Sequence, residues 1–126
     1  MEFAAIRARA LAVRALYTAY EERRYGRSWT LEELVLGLVG DVGDLAKLMQ
    51  AREGVRDMDN SQRALAHELA DLLWAVVVIA EQCEVDLEAA FTNTMDELER
   101  SLSEARDAPD AMNRDNTARD EPPASG

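Results

Sequence analysis

Cysteine occurs once in these 126 residues, as Cys83, so one chain can build neither an internal disulfide framework nor a cysteine-based zinc site. A reducing cytoplasm suits such usage. Lysine and histidine also occur once each, as Lys47 and His67, and basic side chains are outnumbered 14 to 25 by acidic ones, for a formal net charge of −11. A surface of this sign repels polynucleotides and anionic membranes, so neither is an expected partner. A polyphosphate is not excluded, because divalent cations placed between two negative partners cancel their repulsion. Long apolar runs are missing too. The longest, Leu72 to Ala80, is far below the roughly 20 residues that cross a bilayer. The arginine-bearing N-terminal stretch (Arg7, Arg9, Arg14) lacks the uninterrupted apolar region of a secretory signal. A soluble, cytoplasmic protein is the expectation.

What is present is helical periodicity. The apolar fraction of 48% is enough for the core of one domain, and no alternating run argues for a half-buried strand. The fold class is all-α, with four segments. Phe3, Ile6, Ala10, Val13, Tyr17 and Tyr20 recur at steps of three and four in the first, which closes near Gly26. The second opens at Thr30, an N-cap with Glu33 three residues on as a capping box, carries Leu31, Leu34, Leu38, Val42, Leu45 and Met49, and stops close to Gly54. Ser61 is the candidate cap of the third, whose stripe is Leu65, Leu69, Leu72, Val76, Ile79 and Cys83. Its all-apolar run from Leu72 to Ala80 makes it the central helix. Asp86 caps a fourth, bearing Leu87, Ala90, Phe91, Thr94, Leu98 and Leu102. Residues 1–106 read as one helical domain. From Asp107 the pattern ends in an acidic tail, 107–126, too polar to offset the entropy of ordering it.

Asp41 and Asp44 stand three apart on the second helix, Glu68 and Asp71 three apart on the third, so each pair projects from one side of its helix. Both pairs fall at an edge of the apolar stripe. If the helices pack antiparallel, as a short connection favours, four carboxylates converge on one volume, and their repulsion calls for cations. Oxygen-only ligands suit Mg²⁺, or Mn²⁺, rather than zinc, and such an ion activates water against a phosphorus atom and neutralises a leaving pyrophosphate. The spacing alone is weak: Glu81 with Glu84, and Asp96 with Glu99, share it, and solvated helix faces explain most such pairs. Two features add weight. Gly37, Gly40 and Gly43 lie inside the second helix, where each costs about 1 kcal/mol relative to alanine, which points to close approach of a backbone or ligand. Asp71 precedes the apolar run, where a buried carboxylate needs a metal or, equally well, a salt bridge.

The stretch Gly37-Leu38-Val39-Gly40-Asp41-Val42-Gly43-Asp44-Leu45-Ala46-Lys47-Leu48, followed by His67-Glu68-Leu69-Ala70-Asp71-Leu72-Leu73-Trp74, resembles the MazG-like family of all-α nucleoside triphosphate pyrophosphohydrolases. Val85 to Phe91 is similar to that family's entry into its last core helix. The resemblance implies a four-helix unit assembled as a homodimer or homotetramer, with Mg²⁺ held by Asp41, Asp44, Glu68 and Asp71. It implies cleavage of a standard or damaged (d)NTP to monophosphate and pyrophosphate. The first acidic pair of the family is usually two glutamates, one methylene longer than the aspartates here. Where many members carry tyrosine and lysine this chain has Ala75 and, on the last helix, Asn93, Thr94 and Arg100. Candidate substrate contacts are Lys47, against a surface ion pair; Trp29, against sealing the bundle end; and Asn93. Trp74 belongs to the core, and His67 to the exposed or supporting groups. Phosphoribosyl-ATP pyrophosphatase shares the acidic pairs and is the nearest alternative. A non-catalytic helical module, sensing nucleotides or mediating oligomerisation, is the rival of another class.

Overall fold

Four helices follow in the order α1 (Phe3–Tyr25), α2 (Leu31–Arg52), α3 (Ser61–Gln82) and α4 (Leu87–Arg106), in a computed structural model that describes residues 1–53 and 61–108. No strand occurs among the described residues, as the periodicity predicts. The chain divides into two compact units, Met1–Leu87 and Glu88–Gly126. The stop expected at Gly54 and almost all of the acidic tail lie outside the described residues. None of the helices described is long and apolar enough to cross a membrane.

Local chemistry sets the helix ends. Gly26 takes a left-handed φ of 78°, and its N–H donates to the Glu22 carbonyl at 2.9 Å, which closes α1. Thr30 caps α2, its hydroxyl oxygen accepting from the Glu33 N–H at 3.2 Å. The return arm of the capping box differs from expectation. The Glu33 carboxylate takes the Thr30 hydroxyl at 3.3 Å and pairs with Arg27, tying the turn between α1 and α2 to the first turn of α2. That Arg27 hydrogen bond holds the Glu33 carboxyl below its ordinary pKa. Ser61 is already helical rather than a cap, so the cap position of α3 falls outside the described residues. At its other end α3 closes in a two-bond motif: Val85 N–H to Ala80 O at 2.9 Å, and Glu84 N–H to Glu81 O at 3.2 Å. Glu84 occupies the left-handed position, at φ 57°.

Within the first unit α3 is central, as read, packing on α2 along one flank and on α1 along another. Leu65, Ala75, Val77, Val78 and Ala80 are its buried residues. The expected stripe is only partly the buried one, since Leu69, Val76 and Cys83 are exposed. Burial on a helix held from two sides follows two flanks instead of one stripe, and small residues let the neighbours approach. Trp74 joins α1 to α3 by donating its indole N–H to the Ala10 carbonyl at 3.1 Å and placing its ring 5.4 Å from that of Tyr17. Arg7 forks onto Glu81 across the same interface, an exposed pair worth at most about 1 kcal/mol.

A buried polar knot holds the approach to α2. Glu21 is only 5% exposed and accepts the Trp29 N–H at 2.8 Å; Arg14 lies 3.5 Å from Glu21 and donates to the Trp29 carbonyl at 2.8 Å. Both main-chain polar groups of Trp29 are thereby satisfied by α1.

Candidate metal centre

α2 and α3 run antiparallel, and Asp44 and Glu68 face one another in the cleft between them. The i, i+3 spacing on α2 puts Asp41 beside Asp44, and one carboxylate oxygen from each of Asp41, Asp44 and Glu68 lies within 4.8 Å of the other two. These three carboxylates, predicted from two separate sequence pairs, are brought together.

The Glu68 Oε1 atom is withdrawn from solvent and has no hydrogen-bond partner. Loss of solvent raises the Glu68 carboxyl above its ordinary pKa, and the charges of Asp41, Asp44 and Asp71 raise it further. An orphaned carboxylate oxygen facing two more carboxylates is a poor arrangement for a metal-free protein and a good one for a hard cation. Oxygens sharing one Mg²⁺ ion lie between about 3 Å and 4.2 Å apart, a range that side-chain rotation within this group can reach. The residues fit the ion.

Asp71 is not one of the grouped three. Its carboxylate lies 3.2 Å from the His67 Nε2, one turn back on α3, and the side chain is 47% exposed. The burial expected from the adjacent apolar run is not found, although Ala75 and Val78, one and two turns further along the same side of α3, are buried. The contact with His67 is an ion pair only when the imidazole carries a proton on both nitrogens. His67 is exposed, as expected of it.

The glycines behave unequally. A Cβ added at Gly37 would meet the Trp29 ring at 3.6 Å, an ordinary contact, whereas at Gly40 and Gly43 it would meet nothing within 4 Å. Close approach among the described residues therefore requires glycine at none of the three. Trp29 lies against α2 one turn before Asp41 and lines, with Tyr25 and Arg27, a cavity of about 350 Å³ separate from the carboxylate cleft. Asn93 is exposed on α4. Lys47 enters the cleft beside Asp44, and so does Arg63, a residue that no motif of the sequence singles out.

Comparison with known proteins agrees with this geometry. The family model of the MazG nucleotide pyrophosphohydrolase domain matches residues 29–102. The chain is similar to dCTP pyrophosphatase 1 of Rattus norvegicus, at 37% identity over 90 residues. It is similar also to dCTP pyrophosphatase 1 of Homo sapiens and of Mus musculus, each at 36% over 90 residues. In each case the match covers 67% of this chain and 53% of the relative, so the chain spans about half the length of the curated proteins it matches. No solved structure matches it. With the family model covering more than half of the chain and carrying all three clustered carboxylates, this protein belongs to the MazG nucleotide pyrophosphohydrolase domain family.

Proposed function

We propose that this chain is a Mg²⁺-dependent pyrophosphohydrolase that cleaves a (d)NTP between its α and β phosphates, releasing (d)NMP and pyrophosphate. The observation that carries the reading is the unpartnered Glu68 oxygen facing Asp41 and Asp44. Those three residues hold the cation, with Asp71, whose charge already acts on Glu68, as the fourth carboxylate of the set. Mg²⁺ or Mn²⁺ bound there would supply Lewis acidity toward water and phosphate oxygens and offset the charge of the leaving pyrophosphate. Asp44, exposed at the mouth of the group, is the carboxylate best placed to meet solvent water. Trp29, fixed through its backbone by Glu21 and Arg14, offers a ring over Gly37 for base stacking. The working protein is a homodimer or homotetramer in the cytoplasm, which the uncovered apolar residues Leu36, Val39 and Val42 of α2 support.

The experiment is a nucleotide panel with Mg²⁺, read by pyrophosphate release, with dCTP as the first member because the similar proteins are dCTP pyrophosphatases. Release that disappears in Glu68→Gln and Asp44→Asn supports the reading. Binding without turnover in the unaltered protein would replace it with a nucleotide sensor, and turnover confined to phosphoribosyl-ATP would replace the substrate.

A further inference from the structure

We infer that Lys47 and Arg63 form a polyphosphate subsite that selects triphosphates over shorter phosphate chains. This rests on the reading that Asp41, Asp44 and Glu68 hold a cation at the reacting phosphate. The cleft between α2 and α3 has a volume of about 770 Å³ and starts at Asp44 and Glu68. From there its walls run in opposite senses along the two helices, to Ala51 on α2 and Arg63 on α3. The seven residues from Asp44 to Ala51 span about 10 Å at 1.5 Å per residue, room for an extended chain of phosphates.

The charge distribution in this cleft departs from that of the chain. In a protein of net charge −11, the one lysine, the one histidine and an arginine line the same groove. Leu48, Ala51 and Ala64 complete its wall among the described residues, so the charged side chains there beyond Asp44 and Glu68 are Lys47 and Arg63. His67 is engaged by Asp71. Lys47 and Arg63 have no carboxylate partner among the described residues, although the sequence supplies 25 acidic side chains. Two unpaired cations beyond a cation-binding carboxylate cluster complement a substrate whose reacting phosphate sits on the metal and whose remaining phosphates extend away from it. Arg63, with a planar fork of donors, suits the terminal phosphate; Lys47, nearer Asp44, suits the bridging region.

The test compares the unaltered protein with Lys47→Gln, Arg63→Gln and Arg63→Lys. With Mg²⁺ present, KM for the triphosphate should rise about tenfold or more in each Gln variant, as expected for loss of a charge-assisted hydrogen bond. Arg63→Lys should recover part of that loss. Calorimetric affinity for inorganic tripolyphosphate should fall by a similar factor, and by clearly more than affinity for orthophosphate. Mn²⁺ binding without any phosphate should be retained, which separates this subsite from the metal centre and from misfolding. Equal losses for tripolyphosphate and orthophosphate, or no loss for either, would overturn the assignment while leaving pyrophosphate release to stand. If the unaltered protein turns over no nucleotide, the proposed activity fails, and the tripolyphosphate comparison alone decides whether Lys47 and Arg63 bind phosphate chains.

Discussion

At the scale of single residues, Glu68 is where stability and function pull apart. Its carboxylate is partly withdrawn from water, lacks a hydrogen bond, and faces Asp41 and Asp44. Replacing it by glutamine removes the repulsion and supplies an amide that can donate to either aspartate. Glu68→Gln should therefore melt higher than the unaltered protein in a chelating buffer, by thermal unfolding, and should bind no Mn²⁺. Added Mn²⁺ should raise the melting temperature of the unaltered protein alone, because only that form has the site whose occupation favours the native state. Equal stabilisation of both would place the ion elsewhere. The clustered carboxylates were legible in the sequence because three-residue spacing on a helix fixes a shared side. Asp71 is more exposed than its place before the apolar run suggests, because burial on that side of α3 begins one turn later, at Ala75. Glu21 was illegible for another reason: its partners are the Arg14 side chain two turns away and a main-chain N–H beyond the helix end, which no residue pattern encodes.

At the scale of elements, the close of α1 at Gly26 and the start of α2 at Thr30 followed from their caps, and two helix ends make predictions. Glu84 stands at the left-handed position that closes α3, where a side chain costs free energy and glycine does not. Glu84→Gly should stabilise the chain by about 1 kcal/mol, measured by urea unfolding; a loss of stability would mean that the glutamate makes a compensating contact. The Arg27–Glu33 pair at the start of α2 is pH-dependent in a definite sense. The folded-state pKa of Glu33 lies below its unfolded value, so its contribution is complete above the ordinary glutamate range and is lost as pH falls through the depressed value. The stability difference between the unaltered protein and Glu33→Gln should accordingly be largest near neutrality and shrink with acidification. A difference constant with pH would assign it to packing instead. The buried pattern of α3 is the least legible in the sequence, because two neighbours divide its surface and a single apolar stripe does not encode that division.

At the scale of the molecule, more apolar surface is left open than a lone chain of this size should tolerate. On α2 the side chains of Leu36 and Val39 are 63% and 64% exposed, and Val42 is half exposed. Gly40 and Gly43 leave open space on the same helix. Two glycines with no neighbour among the described residues make little sense for a solvated face, where alanine would hold the helix better by about 1 kcal/mol per site. They do make sense for a surface against which another backbone packs closely, and a second copy of the chain is the partner that closed symmetry favours. Val39→Lys places a charge in the middle of that surface without touching Asp41, Asp44 or Glu68. In sedimentation velocity the unaltered protein should run as a dimer or tetramer at micromolar concentration, and Val39→Lys should shift toward monomer and lose thermal stability with it, because an assembly that binds only native chains stabilises them by mass action. A monomeric unaltered protein, or a variant that assembles as before, would mean that the exposed face of α2 is not the surface through which this chain associates.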